Sequence, residues 1–150
     1  SAQGHDLLRA TAPEDLLARA LESGIEINEA ERTEPLLLHG PLGALELREQ
    51  FGVQDERVLH TIRWHTTGHP QYDTGAWLFF VADKVEPNKL RVWPELRHVL
   101  RLALKPDPDA PEKAALAYLD LNLERGSREG WTPHPMAILS HETLSESQNG

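Results

Sequence analysis

Thr74-Gly75-Ala76-Trp77-Leu78-Phe79-Phe80-Val81-Ala82-Asp83-Lys84-Val85 carries seven consecutive apolar residues, Ala76 to Ala82, with a carboxylate directly after them. A run apolar on every side predicts a central, buried helix. The same letters would suit a buried strand, but length and continuity favour the helix.

Helix signals continue outward in both directions. Upstream, Asp55 is placed to cap a helix with Val58, Leu59, Ile62 and His65 on one side, running into Thr66-Thr67-Gly68. Before it, Gly40-Pro41 opens a helix that stops at Phe51-Gly52. Thr11-Ala12-Pro13-Glu14 reads as a capping box for a helix through about Ser23, ended by Gly24. Downstream, helices are expected from Trp93 to Leu104, from Asp109-Ala110-Pro111-Glu112 to Arg125-Gly126, and briefly after Thr132-Pro133. No repeat and no strand alternation is present, so the fold class is all-α. The prolines between Lys105 and Pro111 mark a loop and not a domain boundary. One domain over residues 1–144 and a flexible tail over 145–150 are expected.

Composition narrows the function. A chain of 150 residues can bury roughly two-thirds of its unfolded surface. Without cysteine it forms no disulfide and no zinc–thiolate site, which suits a reducing cytoplasm. No run approaches the ~20 apolar residues of a membrane span, and Ser1 to His5 lack the marks of a signal peptide. A soluble, cytoplasmic protein is expected. The formal charge of −9 speaks against general nucleic-acid binding. Lys84, Lys89, Arg91, Arg97, Arg101 and Lys105, against Glu86 and Glu95, form a local cationic segment that reads as a solvated helix face or as an anion surface.

Four places carry chemistry. Asp83 follows the greasiest stretch, where an isolated carboxylate would cost several kcal/mol. A bound cation removes that cost, and so would an arginine partner or a capping role. His65 shares the inward side of Val58 and Ile62, as a ligand or as a core histidine. His39 precedes Gly40-Pro41, where a helix N-terminus suits phosphate, or it closes a turn. His5-Asp6 is followed at helical spacing by Arg9, which could hold an anion or pair with Asp6. Imidazole plus carboxylate suits divalent iron or manganese.

In order along the chain, His5-Asp6 with Arg9, Leu38-His39-Gly40-Pro41-Leu42-Gly43-Ala44, Arg63-Trp64-His65-Thr66-Thr67-Gly68 and Val81-Ala82-Asp83-Lys84-Val85-Glu86-Pro87 resemble the HD-domain metal-dependent phosphohydrolases. The likeness, from His5 to about Pro135, is to the bacterial branch of symmetrical diadenosine-tetraphosphate hydrolases. It implies an HD-like helical bundle in which His5, Asp6 and Asp83 bind a divalent metal, iron in that family, with manganese or another ion as alternatives. It implies that His39 and His65 face the phosphates, or a second metal as in two-metal relatives, and that Arg9 holds phosphate oxygens. Asp6, His39 and His65 then carry catalysis. His69 stands where relatives commonly have an arginine, among the substrate-binding residues. The family's first metal-binding histidine lies on a helix upstream of the His-Asp pair, so the set as written is expected to be one ligand short.

The implied reaction is metal-assisted hydrolysis of a dinucleoside tetraphosphate to two nucleoside diphosphates. Two alternatives stay open: hydrolysis of another nucleotide or phosphoester, and a nucleotide-binding module without catalysis. The expected partner is a small nucleotide, not nucleic acid or membrane, with a homodimer left open.

Overall fold

Leu16 and Ala20, one turn apart on the first helix, are wholly buried against Leu8, Leu38 and Leu42. They form the core of the first of two compact units, Ser1–Thr67 and Gly68–Gly150. The computed structural model describes residues 4–149. Among them there are nine α-helices and no strand, and no helix is long and apolar enough to cross a membrane.

In the first unit α1 spans Pro13–Glu22. Its N-cap is Ala12, without a side-chain cap, so the expected Thr11 capping box does not form. Proline in the first turn, with φ already helical, starts the helix instead. Gly24 ends it at φ 73°. α2 (Glu29–Thr33) was not expected, although a true capping box opens it: the Asn28 side chain accepts from the Glu31 N–H, and the Glu31 carboxylate accepts from the Asn28 N–H. A 3-10 turn, Pro35–Leu38, runs into α3 (His39–Phe51), which Gly52 ends. α4 (Glu56–Arg63) is capped by the Asp55 carboxylate and buries Leu59 and Ile62. The helix stops before His65. That histidine is buried by the turn following α4, not by the helical face assigned to it from spacing.

Gly40 decides how closely α3 and α4 approach. A Cβ built there would lie 2.5 Å from the Arg63 carbonyl oxygen and 3.4 Å from that of Ile62. Only a hydrogen fits, so the first turn of α3 rests on the last turn of α4.

In the second unit the Asp73 carboxylate caps α5 (Thr74–Lys84). Its buried residues are Ala76, Trp77, Phe80, Val81 and Lys84, a single stripe, while Leu78 is 52% exposed. Burial on every side, expected from seven apolar letters, is therefore corrected to burial on one. The helix expected over Trp93–Leu104 is α7 (Leu96–Ala103), and α6 (Pro87–Val92) before it was not expected. Pro94 between them cannot continue a helical ladder. α8 (Ala110–Glu129) continues past Gly126 to Gly130, and α5, α7 and α9 pack on it. α9 (Pro135–Asn149) takes in the expected tail as far as Asn149; Gly150 lies outside the described residues.

Edge-to-face ring contacts run Tyr72–Trp77–Phe80–Tyr118–Trp93, with centroids 5.0 to 6.2 Å apart. The Lys84 ammonium sits 4.8 Å from the Phe80 centroid and 5.4 Å from that of Tyr118. Lys84 is thus a buried cation over aromatic faces, not part of the solvated cationic face where Arg97 and Arg101 are exposed. Burial pushes the Tyr118 phenol up to about 12, so it stays neutral.

Candidate metal centre

Three segments of the first unit meet at one point. His5 and Asp6 lie in a chain of turns before α1, His39 begins α3, and His65 follows α4. His5, Asp6 and His65 each offer a ligand atom, all within 4.8 Å of one another. The His5 Nε2 lies 3.1 Å from one Asp6 oxygen, and the His39 Nε2 lies 3.6 Å from the other. The Nε2 atoms of His39 and His65 are 2.8 Å apart.

The backs of these rings explain the arrangement. His39 Nδ1 donates to the Leu36 carbonyl at 2.6 Å, and His65 Nδ1 donates to the Ile62 carbonyl at 2.6 Å. A carbonyl only accepts, so each Nδ1 carries the hydrogen, and whenever the ring is neutral its lone pair lies at Nε2. Each histidine's backbone N–H bonds the same carbonyl three residues back. Two imidazoles on different elements are thus pinned by one local device and aimed at each other. Nε2 atoms 2.8 Å apart hold either a proton shared between the rings or a cation between or beside them. Nitrogens bound about 2.1 Å from one ion at a right angle lie about 3 Å apart, so the spacing fits a shared cation.

Arg9 lies 3.8 Å from an Asp6 oxygen through NH1, its side chain half exposed. It comes near through a turn, Arg9 N–H to Asp6 carbonyl at 3.0 Å, and not through a helix.

Asp83 and His69 belong to the second unit. The Asp83 side chain is 9% exposed, and its oxygens meet the ammonium groups of Lys84 at 3.2 Å and Lys89 at 3.1 Å. Lys89 also donates to the Asp83 carbonyl at 2.6 Å. Two lysines, where an arginine was one expectation, balance the carboxylate. Burial alone therefore does not require a metal there, and a ligand role for Asp83 rests on the resemblance. His69 Nδ1 accepts from the Gln71 N–H at 3.1 Å, and its ring stands 6.5 Å from that of Tyr72.

Spacing alone did not place His65 with His5 and Asp6; it gave His65 an inward side and nothing about what it meets there. Gly40 carried a readable signal, a glycine between a histidine and a proline, but its meaning depends on the helix beneath it.

An all-helical chain that gathers imidazoles and a carboxylate from separated segments has the form of a histidine–aspartate metal site. The chain belongs to the HD-domain family, whose model matches residues 4–88. A relative from Halalkalibacterium halodurans named symmetrical bis(5'-nucleosyl)-tetraphosphatase is 49% identical over 53 residues, covering 35% of this chain and 28% of the relative. One of the same name from Bacillus subtilis is 42% identical over 69 residues, covering 46% of this chain and 36% of the relative. The matches thus span well under two-thirds of either relative. A crystal structure from Clostridium acetobutylicum, described as an HD superfamily hydrolase involved in NAD metabolism, superposes with a TM-score of 0.83. It covers 95% of this chain and 72% of that one at 24% identity, which shows the fold.

Proposed function

We propose that this chain is a metal-dependent phosphohydrolase domain that splits a dinucleoside tetraphosphate at its middle anhydride into two nucleoside diphosphates. The observation that carries the reading is the convergence of His5, Asp6, His39 and His65 in the first unit. The names of the two bacterial relatives support the substrate.

The donors fit a divalent ion such as iron or manganese: imidazole nitrogens whose tautomers the main chain sets, a carboxylate, and no thiolate. His5, Asp6 and His65 would hold it. When bound, the ion supplies Lewis acidity toward phosphoryl oxygens and toward water. Asp6 spans two histidines with its two oxygens and orients the attacking water. Arg9, half exposed beside Asp6, attracts phosphate oxygens into a chain whose formal charge is −9. Once protonated at Nε2, His39 stabilises negative charge as it builds on the phosphoryl group. Water forms one P–O bond, the central bridging P–O bond breaks, and the leaving nucleoside diphosphate takes the proton.

Incubation with iron or manganese and diadenosine tetraphosphate, followed by chromatography, tests the reading. ADP as the sole nucleotide product is expected. ATP plus AMP, or no turnover, overturns it.

A further inference from the structure

We infer that Gly40 is a positioning residue, setting the distance between His39 and His65 by letting α3 rest on the backbone of α4. This rests on the reading of that histidine pair as part of the hydrolase site.

Gly40 immediately follows His39, and its missing side chain faces the main chain two residues before His65. A Cβ would come within 2.5 Å of the Arg63 carbonyl oxygen. That neighbour is backbone, so it cannot swing away as a flexible side chain would. The Ile62 carbonyl, 3.4 Å from the same Cβ position, is the group that holds His65 through Nδ1. Any retreat of α4 from a methyl at residue 40 therefore moves the anchor of His65 directly. His39 is anchored by Leu36 on the other side of the contact, so the two rings separate. Gly43, three residues on, supplies the control: a Cβ there meets nothing within 4 Å, although the residue is buried in the same helix.

The test compares Gly40→Ala and Gly43→Ala with the wild type. Far-UV circular dichroism and thermal melting report the fold. NOEs between the His39 and His65 ring protons report the pair without any metal. Titration with manganese then reports the site apart from turnover. Gly43→Ala is expected to keep the NOEs and the manganese affinity, with an unchanged or higher Tm. Gly40→Ala is expected to melt cooperatively, to lose the ring NOEs and to bind manganese at least tenfold more weakly. Retained NOEs in Gly40→Ala overturn the inference. So does loss of cooperative melting in that variant, because the glycine would then be needed to fold the unit at all. Wild-type protein that binds no metal defeats the hydrolase reading, and the NOEs then decide the positioning role by themselves.

Discussion

His39 and His65 face each other through Nε2 atoms 2.8 Å apart, although 26 residues separate them in the chain. Each ring is fixed from behind by a carbonyl three residues earlier. Neither ring can turn to relieve the contact without losing its anchor. The pair is therefore organised before any ligand arrives, the condition under which a site loses least on binding.

Replacing His65 should remove a donor that no neighbour can supply. His65→Ala is expected to lower manganese or iron content and to cut hydrolysis by at least about a hundredfold, since the cation's share of transition-state stabilisation is several kcal/mol. His141→Ala, which removes the His141–Asp120 pair between α9 and α8, should leave both unchanged. Metal analysis and steady-state kinetics check the two together; equal effects would detach His65 from the site.

The lysines around Asp83 lead to a stability prediction. Lys89 donates to both the carboxylate and the carbonyl of Asp83 at the end of α5. Lys89→Met removes both bonds and leaves Lys84 as the partner within that group. Breaking a buried pair from one side costs about 3–5 kcal/mol, less where solvent reaches the pair. With Lys89 a quarter exposed, a loss of about 2 kcal/mol is expected in urea unfolding.

A methyl group at residue 68 should be poorly tolerated. Gly68 has φ +75°, and a Cβ there would lie 2.6 Å from Trp77 Cη2. The left-handed conformation costs a side chain about 1–2 kcal/mol, and displacing a buried indole adds to it. Gly68→Ala should therefore lower the unfolding free energy by about 2–4 kcal/mol. A thermal melt within a degree or two of wild type would contradict this.

His60, on α4, gives a signed pH effect. Burial and then Arg63 hold its pKa below the ordinary histidine value of 6.5. The folded chain thus binds fewer protons there than the unfolded one, and stability falls as pH drops through 6.5 toward the folded value. Above 6.5 the effect vanishes. His60→Gln should flatten the dependence of Tm between pH 7 and pH 5 relative to wild type; parallel curves would count against it.

How far these features could be read beforehand depended on where the signal sat. All-α was legible because caps and stops lie in side chains and glycines: Asp55 opens α4, and Gly24 and Gly52 follow α1 and α3. α2 was equally legible, since Asn28 and Glu31 form a capping box, but five residues gave no apolar period to notice. The helix expected from Trp93 starts only at Leu96, because Pro94 separates it from α6. Burial of α5 on one stripe was not legible, because an apolar run does not state which side meets a partner. In the site, each histidine stood out singly, whereas the meeting of His39 with His65 depends on a main-chain approach at Gly40 that no side chain announces. Likewise Asp83 advertised a need for positive charge without saying that Lys84 and Lys89 meet part of it.

The anchors of His39 and His65 are carbonyl oxygens, which every amino acid possesses. Point substitution at Leu36 or Ile62 can repack the interior, yet it cannot delete the acceptor that orients the imidazole. The acceptors are therefore invisible to alanine scanning: a mutational survey would find the two rings and the glycine that spaces them, but not the oxygens that orient the imidazoles. Chemical editing of the main chain, such as an amide-to-ester swap or an inserted residue, is the kind of change that would reach it.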